Sequence, residues 1–291
     1  MNAESSDKPA VSVVIPVYNR ADSITGAVNS VVNQTFRDCE IIIVDDGSTD
    51  NTRTVVESLI DDRVRYVRHD MNKGANAARN TGVKLARGRY IAFQDSDDRW
   101  RSDKLERQVA ACSSSNAKVC FCAFNRHVGD ASKKIPKDSY RVPSGLSDLQ
   151  QTVLRGSFIS CQTLFVDREL ILSLEGFDES LPRLQDWELC LRLAQATPFY
   201  FLDEILVDVN LSHDSISRDL SKYIRAAEMI LGRHRELFTS DPIAEGILRL
   251  NVAFECLGEG YLGGFATQCW HALLSAGYRV MASAWILFGR R

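Results

Sequence analysis

The 291-residue sequence lacks several features that would assign it quickly. No glycine-rich turn follows its first apolar strand: Val17-Tyr18-Asn19-Arg20 stands there instead, and Lys73-Gly74-Ala75-Asn76 carries a single glycine. A nicotinamide enzyme, a P-loop enzyme and a nucleotidyltransferase all need such a turn to grip phosphates, so these readings are weak. No excess of positive charge is present (net charge −3), which argues against a nucleic-acid partner held by overall electrostatics. No Cys-x-x-Cys pair occurs among the eight cysteines. They are scattered through apolar segments and read as small buried hydrophobes in a reducing compartment, with Cys120 and Cys122 on one face of a strand. No apolar run spans a bilayer: Val280 to Phe288 is far shorter than the ~20 residues required. Met1 to Pro9 is polar, without a signal core, and is expected to be disordered. A cytoplasmic protein is the expectation. No repeat or low-complexity tract is present.

What is there is an ordinary globular composition, 45% hydrophobic and 25% charged, in a chain long enough for one large domain and an appendage. Short β-branched runs alternate with helical periodicity. Val11 to Ile15 reads as a buried strand ended by Pro16. Ile24, Ala27, Val28, Val31 and Val32 then form a helical stripe from about Asp22. Glu40 to Val44, Val64 to Arg68 and Tyr90 to Phe93 read as further strands. Ala75 to Arg87 reads as a helix capped by Gly88, and Ser102 and Asp103 offer caps for a helix through Val109. Later segments are less regular: a strand over Lys118 to Phe124, a loop over His127 to Gly145, a strand over Cys161 to Val166, a turn at Gly176-Phe177-Asp178-Glu179, a helix over Asp186 to Ala196 and a strand over Phe199 to Leu211. The rhythm predicts an α/β fold, a mostly parallel sheet with helices on both faces, over residues 10–216. Residues 217–291 read as a helical appendage.

Ligands of such sheets bind beyond the carboxyl ends of the strands, which is where the acidic clusters fall. Asp95-Ser96-Asp97-Asp98 puts three carboxylates within four residues. Two like charges ~5 Å apart repel by about 3 kcal/mol at an effective dielectric near 20. A fold keeps such a cluster if it is solvated, caps a helix or binds a cation. Its place after an apolar strand favours the cation, with magnesium or manganese suited to a sparse carboxylate site. In Asp45-Asp46-Gly47-Ser48-Thr49-Asp50, turn and cap chemistry accounts for Gly47 and Asp50. It does not account for two acids at a strand end, and a carboxylate there can accept from a ribose hydroxyl or a base.

Four segments, in this order, resemble glycosyltransferase family 2 with the GT-A fold: Val13-Val14-Ile15-Pro16-Val17-Tyr18-Asn19; Ile43-Val44-Asp45-Asp46-Gly47-Ser48-Thr49-Asp50; Asn72-Lys73-Gly74 with Ala78-Arg79-Asn80-Thr81-Gly82; and Tyr90 to Asp98. The resemblance covers about residues 10–215. It implies an inverting transfer of sugar from a nucleoside-diphosphate sugar, UDP-sugars first, to a saccharide or lipid-linked acceptor. Tyr18, Asp45 and Asp46 would line the nucleoside pocket, Pro16 would shape its loop, and Arg79 would lie near the nucleotide or its phosphates. Asp95-Ser96-Asp97 matches the family's Asp-x-Asp motif, with Asp97 the direct metal ligand and Asp95 its helper. His213 would contact diphosphate or metal. Asp186 matches the catalytic base, and Glu188 is its backup; Gln185 departs from the family's glutamate, which leaves acceptor-side details open. Helix capping is the plain alternative for Asp186, and a nucleotide-sugar or carbohydrate-binding module without catalysis is the alternative for the whole chain. Near the end, Trp270, Leu273, Leu274, Tyr278, Met281, Trp285 and Phe288 follow helical spacing. Packing on the catalytic domain is the preferred reading of that stripe, and a membrane contact serving a lipid-linked acceptor is the other.

Overall fold

The computed structural model describes residues 8–59, 61–128, 131–210 and 219–277. The first strand, β1 (Val11–Val17), leads through α1 (Ile24–Val32) to β2 (Cys39–Asp45), then through α2 (Thr52–Glu57) to β3 (Val64–Arg68), and through α3 (Ala75–Leu85) to β4 (Tyr90–Phe93). These strands pair in parallel in the order β3-β2-β1-β4. Every residue of β1, β2 and β4 is buried, as unbroken β-branched runs covered on both faces must be. The predicted stripe of α1 faces inward, with Ile24, Ala27, Val28 and Val31 buried.

After the acidic run come β5 (Arg99–Trp100), α4 (Lys104–Ser115), β6 (Val119–Val128), β7 (Ala131–Ile135), β8 (Gly145–Ser147), α5 (Gln150–Leu154), β9 (Leu164–Asp167), α6 (Arg168–Ser173), α7 (Gln185–Ala196) and β10 (Phe199–Asn210). They extend the same sheet as β4-β9-β6-β10-β5, with β7 on β6 and β8 on β10. β6 and β10 are parallel, and β9 runs antiparallel between β4 and β6. Parallel pairing predominates by residue. Among the described residues four helices follow: α8 (Leu220–Arg233), α9 (Arg235–Ser240), α10 (Pro242–Gly258) and α11 (Leu262–Ala276). Tyr223, Ala226, Ile230, Phe238, Leu248 and Val252 join the main core, so α8 to α10 are packed onto the α/β body. No helix among the described residues is long and apolar enough to cross a membrane.

Several local expectations are corrected. Pro16 does not end β1; it pairs with Val44 inside it. Val17 O accepts from Asp46 on the β2 side and Val14 O from Gln94 on the β4 side, so by alternation Pro16 faces β4, whose pairing stops at Val14. The missing N–H is therefore not needed there. Gly88 does not cap α3, since Ala86 does. Gly88 is small because a Cβ would lie 2.6 Å from the backbone of Val11 and Ser12. The loop expected over His127 to Gly145 contains the β6–β7 hairpin, a short 3-10 turn at Asp138–Tyr140 and the start of β8. Cys161–Thr163 is a 3-10 turn, and only Leu164 onward is strand.

Candidate active site

The carboxyl ends of β1, β2 and β4 carry three loops, and α3 ties them together. Asp45, the last residue of β2, is fully buried: its Oδ1 accepts from Ser48 N at 2.7 Å and its Oδ2 from the Tyr66 hydroxyl at 2.5 Å. Asp46 is equally enclosed. Its Oδ1 accepts from Lys73 N (2.9 Å) and pairs with His69 Nδ1 (2.7 Å), and its Oδ2 accepts from Gly74 N (2.7 Å). His69 reaches Thr81 on α3 through Nε2 at 2.9 Å. Both aspartates therefore hold the loop together from within. Exposed groups at this end include Tyr18, Thr49, Asp50, Asn72 and Lys73, with Asn19 and Arg20 half-buried. Gly47 has φ 78°, and a Cβ there would lie 2.8 Å from the Met71 carbonyl carbon, so the loop closes only around glycine.

Each residue of Ala78-Arg79-Asn80-Thr81-Gly82 has a physical task on α3. Ala78 is buried in the core. Arg79, 5% exposed, donates to Asp95 Oδ1 at 2.8 Å and lies over the Phe177 ring. Asn80 Oδ1 accepts from Phe177 N (2.8 Å), while its Nδ2 donates to Phe177 O (2.8 Å) and Glu179 Oε1 (2.9 Å). Asn76 donates to Asp178 O at 2.9 Å. Gly82 lets the helix touch β1, since a Cβ would sit 2.3 Å from Val14 Cγ1. One helix thus fixes the acidic run on one side and the Gly176-Phe177-Asp178 turn on the other.

The acidic run divides. Asp98 is buried, and its Oδ2 accepts from Gln162 Nε2 at 2.5 Å, while its carbonyl accepts from Gln94 Nε2 at 2.6 Å. Ser96 is buried beside it. Asp97 keeps 35% of its side chain exposed and has Arg20 at 3.8 Å. Burial first, then the charge of Asp95, pushes the Asp97 carboxyl above its ordinary range, and Arg20 only partly offsets this. Asp95 is 27% exposed. Two partly exposed carboxylates whose mutual repulsion is incompletely relieved fit a divalent cation that leaves most positions to phosphate oxygens and water. Among the described residues, no three His, Cys, Asp or Glu side chains converge on one metal position. His213, the remaining sequence candidate, lies outside the described residues. Below the run, Lys104 is fully buried, caps the Trp100 ring at 3.7 Å and is pushed down to about 8 by burial.

Asp186 sits on the second residue of α7 and is not its cap. Leu184 takes that position in the left-handed region (φ 64°), strain that a leucine accepts only where the surroundings impose it. Asp186 Oδ2 accepts from Cys161 N at 3.1 Å, and Oδ1 is enclosed without a hydrogen-bond partner. Burial pushes its carboxyl up, Arg79 pulls it back and Asp95 raises it again. Cys161 Sγ lies 3.7 Å from Asp95 Oδ1, and burial pushes its thiol up, so Asp95, Arg79 and Asp186 form one charged cluster with a neutral thiol among them. Glu188, the expected backup base, points elsewhere. It is 4% exposed and engaged by Arg192 (2.7 Å) and by His234 (3.1 Å) at the α8–α9 junction. His69, Tyr66, Asn76, Asn80, Cys161 and Gln162 were not anticipated. Only the asparagines carried a signal, as polar residues on the inward stripe of a helix.

The family profile described as "Glycosyl transferase family 2" matches residues 12–171. The chain is a family 2 glycosyltransferase. It is 35% identical over 214 residues (72% of this chain, 82% of the relative) to the putative teichuronic acid biosynthesis glycosyltransferase TuaG of Bacillus subtilis (strain 168). It is 31% identical over 247 residues (84% and 92%) to the UDP-Glc:alpha-D-GlcNAc-diphosphoundecaprenol beta-1,3-glucosyltransferase WfgD of Escherichia coli. Its fold is similar to that of S. aureus TarS (residues 1–349) in complex with UDP-GlcNAc, with a TM-score of 0.65 at 19% identity, covering 92% of this chain and 91% of that one. It is also similar to the mannosyltransferase PcManGT from Pyrobaculum calidifontis in complex with GDP-Man and Mn2+ (TM-score 0.61, 17% identity, 98% and 88%). The GT-A fold of this glycosyltransferase is thereby shown.

Proposed function

We propose that this glycosyltransferase moves a sugar from a nucleoside-diphosphate sugar, a UDP-sugar first, to a saccharide carried on a lipid diphosphate in cell-surface glycan synthesis, with inversion at the anomeric carbon. The observation that carries the reading is the enclosed, unpartnered Asp186 Oδ1 beside the Asp95–Arg79 pair, at the carboxyl end of the sheet. A carboxylate oxygen with no donor, raised by burial and short of hydrogen bonds, is poised to accept the proton of an attacking hydroxyl. The UDP-glucose donor and diphosphoundecaprenol-linked acceptor in the name of WfgD, and the teichuronic acid in that of TuaG, support the substrate classes.

Tyr18 would face the base from the loop that Pro16, Asp45 and Asp46 shape. Arg79 would act behind the phosphates, by holding Asp95 and tempering Asp186. Asp97, with Asp95 and His213, would hold magnesium or manganese, which neutralises charge on the departing diphosphate when bound. A lipid-linked acceptor would bring the enzyme to the inner face of the cell membrane. The test is UDP release from UDP-sugars by the purified chain, with and without manganese, together with transfer to a lipid-diphosphate saccharide. Asp97→Ala and Asp186→Ala should each lower transfer by roughly 10²–10⁴-fold with unchanged circular dichroism. Full activity in either variant removes that residue from the mechanism.

A further inference from the structure

The 3-10 turn Cys161–Thr163, which leads into β9, consists of polar residues shut away from solvent, with Gln162 only 3% exposed. Buried polar groups cost stability unless each finds a partner, and an apolar side chain would fill the same space without that penalty. Two of the three residues find their partners in the candidate site. Cys161 N donates to Asp186 Oδ2 at 3.1 Å, its thiol lies 3.7 Å from Asp95 Oδ1, and Gln162 Nε2 donates to Asp98 Oδ2 at 2.5 Å. Asp98 in turn closes the loop that displays Asp95 and Asp97. Its N–H donates to Asp95 O at 3.4 Å, and its carbonyl accepts from Gln94 Nε2 at 2.6 Å. From behind, α4 props the turn. Gln108 Nε2 donates to Thr163 O at 2.8 Å, and Lys104 Nζ donates to Gln108 Oε1 at 2.7 Å, both side chains being fully buried.

Adjacent residues of one short turn thus hold Asp186 on one side and the acidic run on the other. Arg79 bonds Asp95 and acts on Asp186 through its charge, whereas the turn is bonded to both. A satisfied interior network of this kind fixes geometry more tightly than apolar packing does. Geometry matters here because a displacement of about 1 Å at the reacting groups can cost on the order of 10²-fold in rate. We propose that Gln162 is a positioning residue for transfer: gripping Asp98 from the turn whose preceding residue holds Asp186, it sets the spacing between the acidic run and the base. The proposal rests on the roles given above to Asp97 and Asp186. Gln162 is buried and acts through Asp98. Without its amide, Arg79 still holds Asp95 and Cys161 N still holds Asp186. Each half of the site then keeps its own support, and the distance between the halves is released.

The experiment is Gln162→Met in the full chain, which keeps the volume and removes the amide. Mn2+ binding is read by electron paramagnetic resonance, and UDP binding by calorimetry with Mn2+ present. Transfer is read as the single-turnover rate with the UDP-sugar and lipid-diphosphate saccharide that the parent uses. That rate is expected to fall roughly 10²-fold, with the Mn2+ and UDP dissociation constants within about threefold of the parent's and the variant folded at the assay temperature. Gln162→Asn, one methylene shorter and so out of reach of Asp98, should behave in the same way, and it carries the test if the Met variant does not fold. A folded variant that transfers at the parent's rate overturns the proposal, because Gln162 would then only fill the core. A variant whose Mn2+ or UDP affinity falls in proportion to its rate also overturns it, by placing Gln162 in the donor half alone. A parent that binds neither Mn2+ nor UDP overturns the reading of the site and the proposal with it, a result distinct from the other two.

Discussion

Arg79 shows how one buried side chain can tie two carboxylates of the candidate site together. Its guanidinium is buried, satisfies Asp95 and lies close enough to Asp186 to lower that carboxyl's affinity for a proton. As the proposed base, Asp186 works only when ionised. Its carboxyl is raised, so transfer should be intact above that raised value and lost as pH falls through it, earlier than for an ordinary aspartate. Removing Arg79 removes the one influence among the named charges that opposes the rise. Arg79→Met should therefore move the acidic limb of the kcat/KM profile to higher pH, and Arg79→Lys should move it less. An unmoved limb in Arg79→Met would show that the two groups do not communicate. Asp186 stood out in the sequence because a motif carries it. Its coupling to Arg79 and Cys161 did not, since those residues meet only when α3, α7 and the turn at Cys161 converge.

Among elements, α3 and α7 do most to shape the site. α3 approaches β1 so closely that Gly82→Ala would put a methyl 2.3 Å from Val14 Cγ1. Val14 is fully buried in a central strand and cannot give way, so a loss of about 1–3 kcal/mol in denaturant unfolding is expected. Because α3 also carries Arg79 and Thr81, a rise in donor KM should accompany it. α7 offers a contrast between two acids two residues apart. Burial alone would raise Glu188, but hydrogen bonds from His234 and Arg192 and their charges outweigh it and hold its carboxyl below the ordinary range. A depressed carboxylate contributes stability that is present above its unfolded value and is lost as pH falls through the folded one. Glu188→Gln should therefore cost about 1–3 kcal/mol at neutral pH, shrink the difference from the parent under acid, and leave kcat nearly unchanged. Asp186→Asn should do the reverse, abolishing turnover at little cost in melting temperature. From sequence spacing alone the two were interchangeable, because hydrophobic periodicity says which face of a helix is buried and not which partner waits there.

For the whole molecule, the density of packing falls from the sheet outward. β1, β2 and β4 are wholly buried, α8 to α10 share the main core, and α11 is held at its edge by Phe265 and by a small satellite cluster with α10. Native-state hydrogen exchange should follow that order, with amides of α11 exchanging well before those of β1 and β4 in the free protein. Equal protection would mean that α11 is part of the cooperative core.

The sequence by itself determined the alternation of strands and helices, the strand ends that carry the acidic clusters and the family to which the chain belongs. Those features rest on local periodicity and contiguous motifs, which a chain carries before it folds. Only the tertiary structure decided that Asp45 and Asp46 turn inward, that Glu188 belongs to the α7–α8 seam while Asp186 keeps an enclosed, unpartnered oxygen, and that Trp270, Leu273 and Leu274 on α11 face out. Each of those depends on which distant groups arrive to share a hydrogen bond or cover a face, and such long-range partnerships have no period to read.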